Sequence, residues 1–111
     1  MPRFRQMQFS KDWEKLNDRF FATIRVHRGE LKYSPDEKVE VISPKKKFIA
    51  HVLLQRDWKL GDVPMGFLLY DLEGKPGESR QDLINKLGKL YKFSEQPRES
   101  DTVTIYFLER V

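Results

Sequence analysis

The sequence predicts an α+β domain, a small mixed β-barrel of about five strands with two or three helices closing its ends. Three observations carry that prediction. Short segments of alternating or apolar character recur at 4–9, 21–27, 38–42, 47–56 and 102–109, and a period of two is the signature of a strand. The strongest helical pattern, with Leu83, Ile84, Leu87, Leu90 and Tyr91 on one stripe, follows Ser79 and Asp82 at capping-box spacing. No repeat, low-complexity tract or interdomain linker interrupts the 111 residues, so residues 1–111 read as a single domain. At that length roughly two thirds of the unfolded surface can be buried without help from a metal or a disulfide.

The elements follow in order. After the first strand at 4–9, Ser10 is placed to cap a short helix running to about residue 18. Asp12 would stand in its first turn, with Trp13, Leu16 and Phe20 forming an apolar stripe. The next strand, F-A-T-I-R-V-H at 21–27, alternates strictly. Ala22, Ile24 and Val26 are expected against the core, and Phe21, Thr23, Arg25 and His27 on the opposite face. A connection at 28–35 leads to a strand at 38–42 with Val39 and Val41 on one side. Ser43-Pro44-Lys45-Lys46 makes a turn, with Pro44 at its first corner. The strand at 47–56, apolar on both faces near its middle, should lie centrally in the sheet. Residues 57–64 read as a loop, 65–70 as one or two helical turns, and 73–77 as irregular. The capped helix runs to about residue 91, and a polar loop covers 94–101. In the last strand, Val103, Ile105 and Phe107 alternate with Thr104, Tyr106 and Leu108.

Composition excludes whole classes of chemistry. There is no cysteine, hence no disulfide, thiolate nucleophile or cysteine-based zinc site, and His27 and His51 alone do not make a typical zinc site. No metal or cofactor is expected. No apolar run approaches the ~20 residues that span a bilayer, and the first residues lack a signal peptide's apolar stretch. The expected setting is the cytoplasm, with no membrane partner. Lysine and arginine number 21 against 17 acidic residues, for a net charge of +4. The basic residues cluster in the first 60 positions: Arg3 and Arg5; Arg25, His27 and Arg28; Lys45, Lys46 and Lys47; Arg56 and Lys59. If they share a face, phosphate is the natural partner. High charge with only two asparagines also fits a thermophilic source.

The order of elements resembles the ASCH domains, a branch of the PUA-like β-barrels. F-F-A-T-I-R after an opening strand and helix, the hairpin K-V-E-V-I…F-I-A-H-V-L-L, the capped helix ending in L-Y and the closing T-V-T-I-Y-F-L carry the likeness, from about residue 4 to 111. Family members often read K-T-I-T-I-R or K-x-x-E-x-R at the first of these. Thr23 and Arg25 match that pattern, Phe20 stands where the lysine would be, and Asp36-Glu37 replaces the usual Gly-Asp. The resemblance implies RNA binding in a cleft beside this strand. Some bacterial members are amidohydrolases of acetylated cytidine that use a lysine, a threonine and a glutamate. With the lysine absent, the resemblance carries over Thr23 as a polar contact and Arg25 as a phosphate or base contact, and no catalytic residue.

Each candidate has two readings. Arg25 presents a planar fork suited to a phosphate or a guanine edge, or it pairs with a carboxylate that closes the barrel. His27 and Arg28 would extend that basic face, whereas His51 on the central strand reads as structural. Lys45, Lys46 and Lys47 form either a phosphate-tracking finger or a solvated turn. Trp58 beside Arg56 and Lys59 either stacks a base between cations or packs its loop onto the core. The leading expectation is a nucleic-acid-binding module, for RNA foremost, using Thr23, Arg25, His27, Arg28, Lys45, Lys46, Lys47, Trp58 and Lys59. The alternative is a small amidohydrolase acting on a modified nucleoside, with Thr23 as the hydroxyl, Lys59 replacing the missing lysine and Asp62 or Asp71 as the acid. Oligomeric state is open, with the edge strand at 4–9 as one conceivable dimer contact.

Overall fold

The computed structural model describes residues 4–26, 32–91 and 97–111. It is an α+β structure with one five-stranded mixed sheet and two α-helices among those residues. The strands are β1 (Arg5–Gln8), β2 (Phe20–Arg25), β3 (Lys38–Ile42), β4 (Lys47–Lys59) and β5 (Thr102–Arg110), in the order β1-β3-β4-β5-β2. The helices are α1 (Met65–Leu72) and α2 (Arg80–Tyr91), with 3-10 turns at Glu14–Asn17 and Leu60–Asp62. β4 is the central strand, as its apolar middle predicts. The chain divides into two compact units, Met1–Arg56 with Thr104–Val111, and Asp57–Val103.

In the first unit β1 runs parallel to β3, β3 antiparallel to β4, and β2 antiparallel to β5. The hairpin β3–β4 closes where Ser43 N–H donates to Lys46 O at 2.9 Å, so the Ser-Pro-Lys-Lys turn falls where its chemistry places it. One face of the sheet is the main core: Met7, Val39, Val41, Ala50, Val52, Tyr106 and Leu108 are all essentially inaccessible. Phe21 and Thr23 stand opposite Leu108 and Tyr106 and join this face. Ala22, Ile24 and Val26 are buried as expected, but the face expected to be open is buried at Phe21 and Thr23 too. Thr23, on the face expected to be polar and open, is only 3% exposed. The alternation is real, but Ala22 and Ile24 on the other face are buried as well. A strand covered on both sides cannot be oriented from its own pattern.

β1 and β2 are the two edges of the sheet, and no backbone ladder joins them among the described residues. Both edges are instead capped by side chains. Phe9 N–H donates to Ile42 O, so residues 5, 7 and 9 address β3 while Gln6 and Gln8 turn their carbonyls outward. Tyr33 Oη–H donates to Gln6 O at 2.5 Å and Arg25 Nη1 to Gln8 O at 2.7 Å. On β2, Arg110 N–H donates to Arg19 O, which turns the Ala22 carbonyl outward, and Lys15 Nζ donates to it at 2.8 Å. Cationic and hydroxyl side chains thus occupy groups that would otherwise template another strand. A dimer built by adding a strand to β1 would have to displace them.

The opening helix is shorter than the pattern suggests. Ser10 caps nothing, Trp13 precedes a single 3-10 turn, and Asp12 serves the hairpin instead. The buried sides of Trp13 and Leu16 explain the apolar stripe.

In the second unit, β4 continues to Lys59 where a loop is expected, because Leu60 and Gly61 N–H donate to Asp101 and Glu99 O. The α1–α2 pair matches expectation closely. Ser79 and Asp82 form the reciprocal capping box, Ser79 N–H to Asp82 Oδ2 and Asp82 N–H to Ser79 Oγ, both at 3.1 Å. Leu83, Ile84 and Leu87 are buried. α1 ends on Glu73 in the left-handed conformation (φ 49°), with Gly74 N–H returning to Leu69 O. A Cβ on Gly74 would lie 2.8 Å from Leu83 Cδ2 and 2.9 Å from Leu69 Cδ2, so a side chain there would have to displace two leucine methyl groups. No helix among the described residues is long and apolar enough to cross a membrane.

Candidate nucleic-acid interface

The first unit is lined with cations set against aromatic rings. Phe9, Phe21 and Phe48 form an edge-to-face row, with centroids 6.4 and 6.0 Å apart. The Arg25 guanidinium lies 4.3 Å from the Phe9 centroid and that of Arg110 3.8 Å from Phe48. Lys15 Nζ is 5.8 Å from the same Phe9 ring, and Lys11 Nζ is 4.4 Å over Trp13. These distances fall within cation–π range. The row is a property of the fold that single-strand patterns do not show, since its rings come from three separate segments.

The predicted residues fall into distinct places. Arg25 is half-buried with Nη1 on Gln8 O and its plane on Phe9, and its Nε is buried without a hydrogen-bond partner among the described residues. It therefore links the two sheet edges and pairs with a carbonyl, where a carboxylate or a ligand was the expectation. Thr23, nearly inaccessible, does not present its hydroxyl to a macromolecule or a substrate. His27 and Arg28 lie outside the described residues. Trp58 is half-buried on the far end of β4 in the second unit, with Lys59 exposed beside it. It is on a strand, not in the expected loop. His51 is half-exposed, with Nε2 3.4 Å from the solvated Asp36 Oδ1. Its partner is a surface carboxylate, in keeping with a structural histidine whose ring nitrogen has a partner.

Lys45, Lys46 and Lys47 stand at the hairpin tip as predicted, and the structure adds what organises them. Asp12 Oδ1 accepts from Ser43 Oγ at 2.5 Å and from Lys45 N–H at 2.9 Å. The hydrogen bond from Ser43, then that from the Lys45 backbone, hold the Asp12 carboxyl below its ordinary pKa, outweighing desolvation. The carboxylate is thus ionised and fixed, and it ties the segment bearing Lys11 to the tip. Lys11, Lys45 and Lys47 are exposed and Lys46 half-exposed. The Asp12 carboxylate also attracts the Lys45 and Lys46 ammonium groups, and Lys47 Nζ lies 3.9 Å from Glu40 Oε2, a weak pairing for an exposed lysine. The role of Asp12 was hidden because it joins positions 31 and 33 residues apart, whereas local spacing offers it a place in a helix turn.

No cluster of three or more histidine, aspartate or glutamate side chains suited to a metal ion occurs among the described residues. Comparison of the chain with protein-family models, with curated proteins and with solved structures finds no match.

Proposed function

We propose that this chain is an RNA-binding module of the ASCH and PUA-like kind, with its phosphate-tracking surface at the β3–β4 hairpin tip. One observation carries the reading: Asp12 unites Lys11 with Lys45, Lys46 and Lys47, so that lysines from two distant segments form one solvated basic patch. Flexible ammonium groups on an anchored backbone suit successive phosphates, which fix register without reading sequence. The bridge from Arg25 to Gln8 between the sheet edges supports a rolled, barrel-like arrangement of the PUA kind. Within this reading Arg25 is a strut of the fold, and the lysines carry the electrostatic contact.

The test is a fluorescence-anisotropy titration of a labelled short RNA at low and physiological salt, on the wild type and on the Lys45→Ala/Lys46→Ala variant. Binding that weakens with salt, with a shallower salt dependence in the variant, supports the reading. Equal binding by both proteins removes the tip from the interface.

A further inference from the structure

We infer that the exposed end of the sheet face opposite the main core, at Phe20, Phe107 and Leu53, is a stacking platform for unpaired bases, which makes single-stranded nucleic acid the ligand. The inference rests on the RNA-binding reading above and adds the ligand's strandedness and the residues that would meet its bases.

Phe20 is 57% exposed and Phe107 37% exposed. On adjacent strands, Phe20 stands opposite Glu109 and Phe107 opposite Ala22. Residues opposite one another in an antiparallel ladder share a face, so the two rings are diagonal neighbours there, about 7–8 Å apart at the backbone. Leu53, 40% exposed, belongs to the same face. Phe48 packs on Phe21 in the core, so Ile49, His51 and Leu53 project the other way by alternation. Lys47 shares their side of β4, so one lysine of the tip borders this face, with Glu40 Oε2 3.9 Å from its Nζ. At the opposite border the Arg19 guanidinium lies 5.2 Å from the Phe20 centroid and is held by Glu109 at 2.7 Å.

Two exposed rings side by side on a sheet, an apolar neighbour and a lysine-bearing margin match what a splayed single strand requires. Every base offers a π face to an aromatic ring, and phosphates follow the cations. A duplex keeps its bases stacked internally and offers such rings nothing to pair with. Charge complementarity with phosphate favours this occupant over an apolar protein segment, because Lys47, exposed and only weakly paired with Glu40, borders the face.

The experiment compares a labelled oligouridylate, an oligothymidylate and an RNA duplex of equal length against the wild type and against Phe20→Ala/Phe107→Ala, with circular dichroism to establish that both proteins are folded. The expected result is preference for the single strands and a loss of about tenfold in affinity per ring removed, largely restored in Phe20→Tyr/Phe107→Tyr. Equal loss for oligouridylate and oligothymidylate assigns the platform to single strands in general, while loss for oligouridylate alone assigns it to RNA; either supports the inference. Wild-type binding of single strands that the double alanine variant leaves unchanged overturns the platform while leaving the RNA-binding reading intact, and would point to a protein partner for this face. No binding of any probe at low salt overturns both.

Discussion

Arg25 Nη1 donates to the carbonyl oxygen of Gln8 at 2.7 Å, joining the last residues of the two edge strands of the sheet. The same guanidinium rests on the Phe9 ring, in the residue that follows Gln8. One side chain thus links β1 to β2, where no backbone ladder does so among the described residues. An exposed strand end carrying an arginine reads in isolation as a ligand contact, but here its Nη1 and its π face are engaged by the protein, while Nε is buried without a hydrogen-bond partner among the described residues.

Arg25→Ala is therefore expected to destabilise the fold by about 2 kcal/mol, from a charge-assisted hydrogen bond and a half-buried cation–π contact. It should leave RNA affinity at the hairpin tip nearly unchanged. Urea denaturation and the anisotropy titration check the two halves. Unaltered stability with lost binding would return Arg25 to the interface.

Asp12 predicts a pH dependence localised at the tip. Its carboxyl is held below the ordinary value in the folded protein by Ser43 and the Lys45 amide. Its stabilising contribution is therefore complete above the unfolded-state pKa and fades as pH falls through the lower folded value. Hydrogen exchange at the Lys45 amide should be slow at neutral pH, and protection should decline only in strongly acidic solution. Asp12→Ala should remove that protection at every pH. Protection that is lost near neutrality would contradict the assignment.

Much of this organisation was legible in the sequence, and the failures share a cause. The hairpin turn, the central position of β4 and the Ser79 capping box are written in neighbouring residues, and the structure places them as expected. Thr23 and Asp12 depart from their local pattern because their surroundings come from elsewhere in the chain: Tyr106 stands opposite one, and Ser43 and Lys45 bind the other. The extension of β4 past Arg56 was hidden for the same reason, since its end is held by residues near 100. Local pattern fixes period and turn chemistry, but which face is covered depends on partners distant in sequence.

The capping box offers a test of the second unit by itself. Ser79→Ala removes the Oγ acceptor of the Asp82 amide and should cost about 1 kcal/mol, read from a shift in the urea midpoint at constant slope. Ser79→Asp should retain most of the stability. A neutral alanine substitution would mean that α2 does not depend on its cap.

The most direct test of the central claim is the salt dependence of RNA binding by the wild type and by Lys45→Ala/Lys46→Ala. Binding at low salt should fall as salt rises, and in the variant the slope in log affinity against log salt should be shallower by about 0.7 for each phosphate contact removed. Binding with the same slope in both proteins, or none at low salt, would contradict a phosphate-tracking role for the tip.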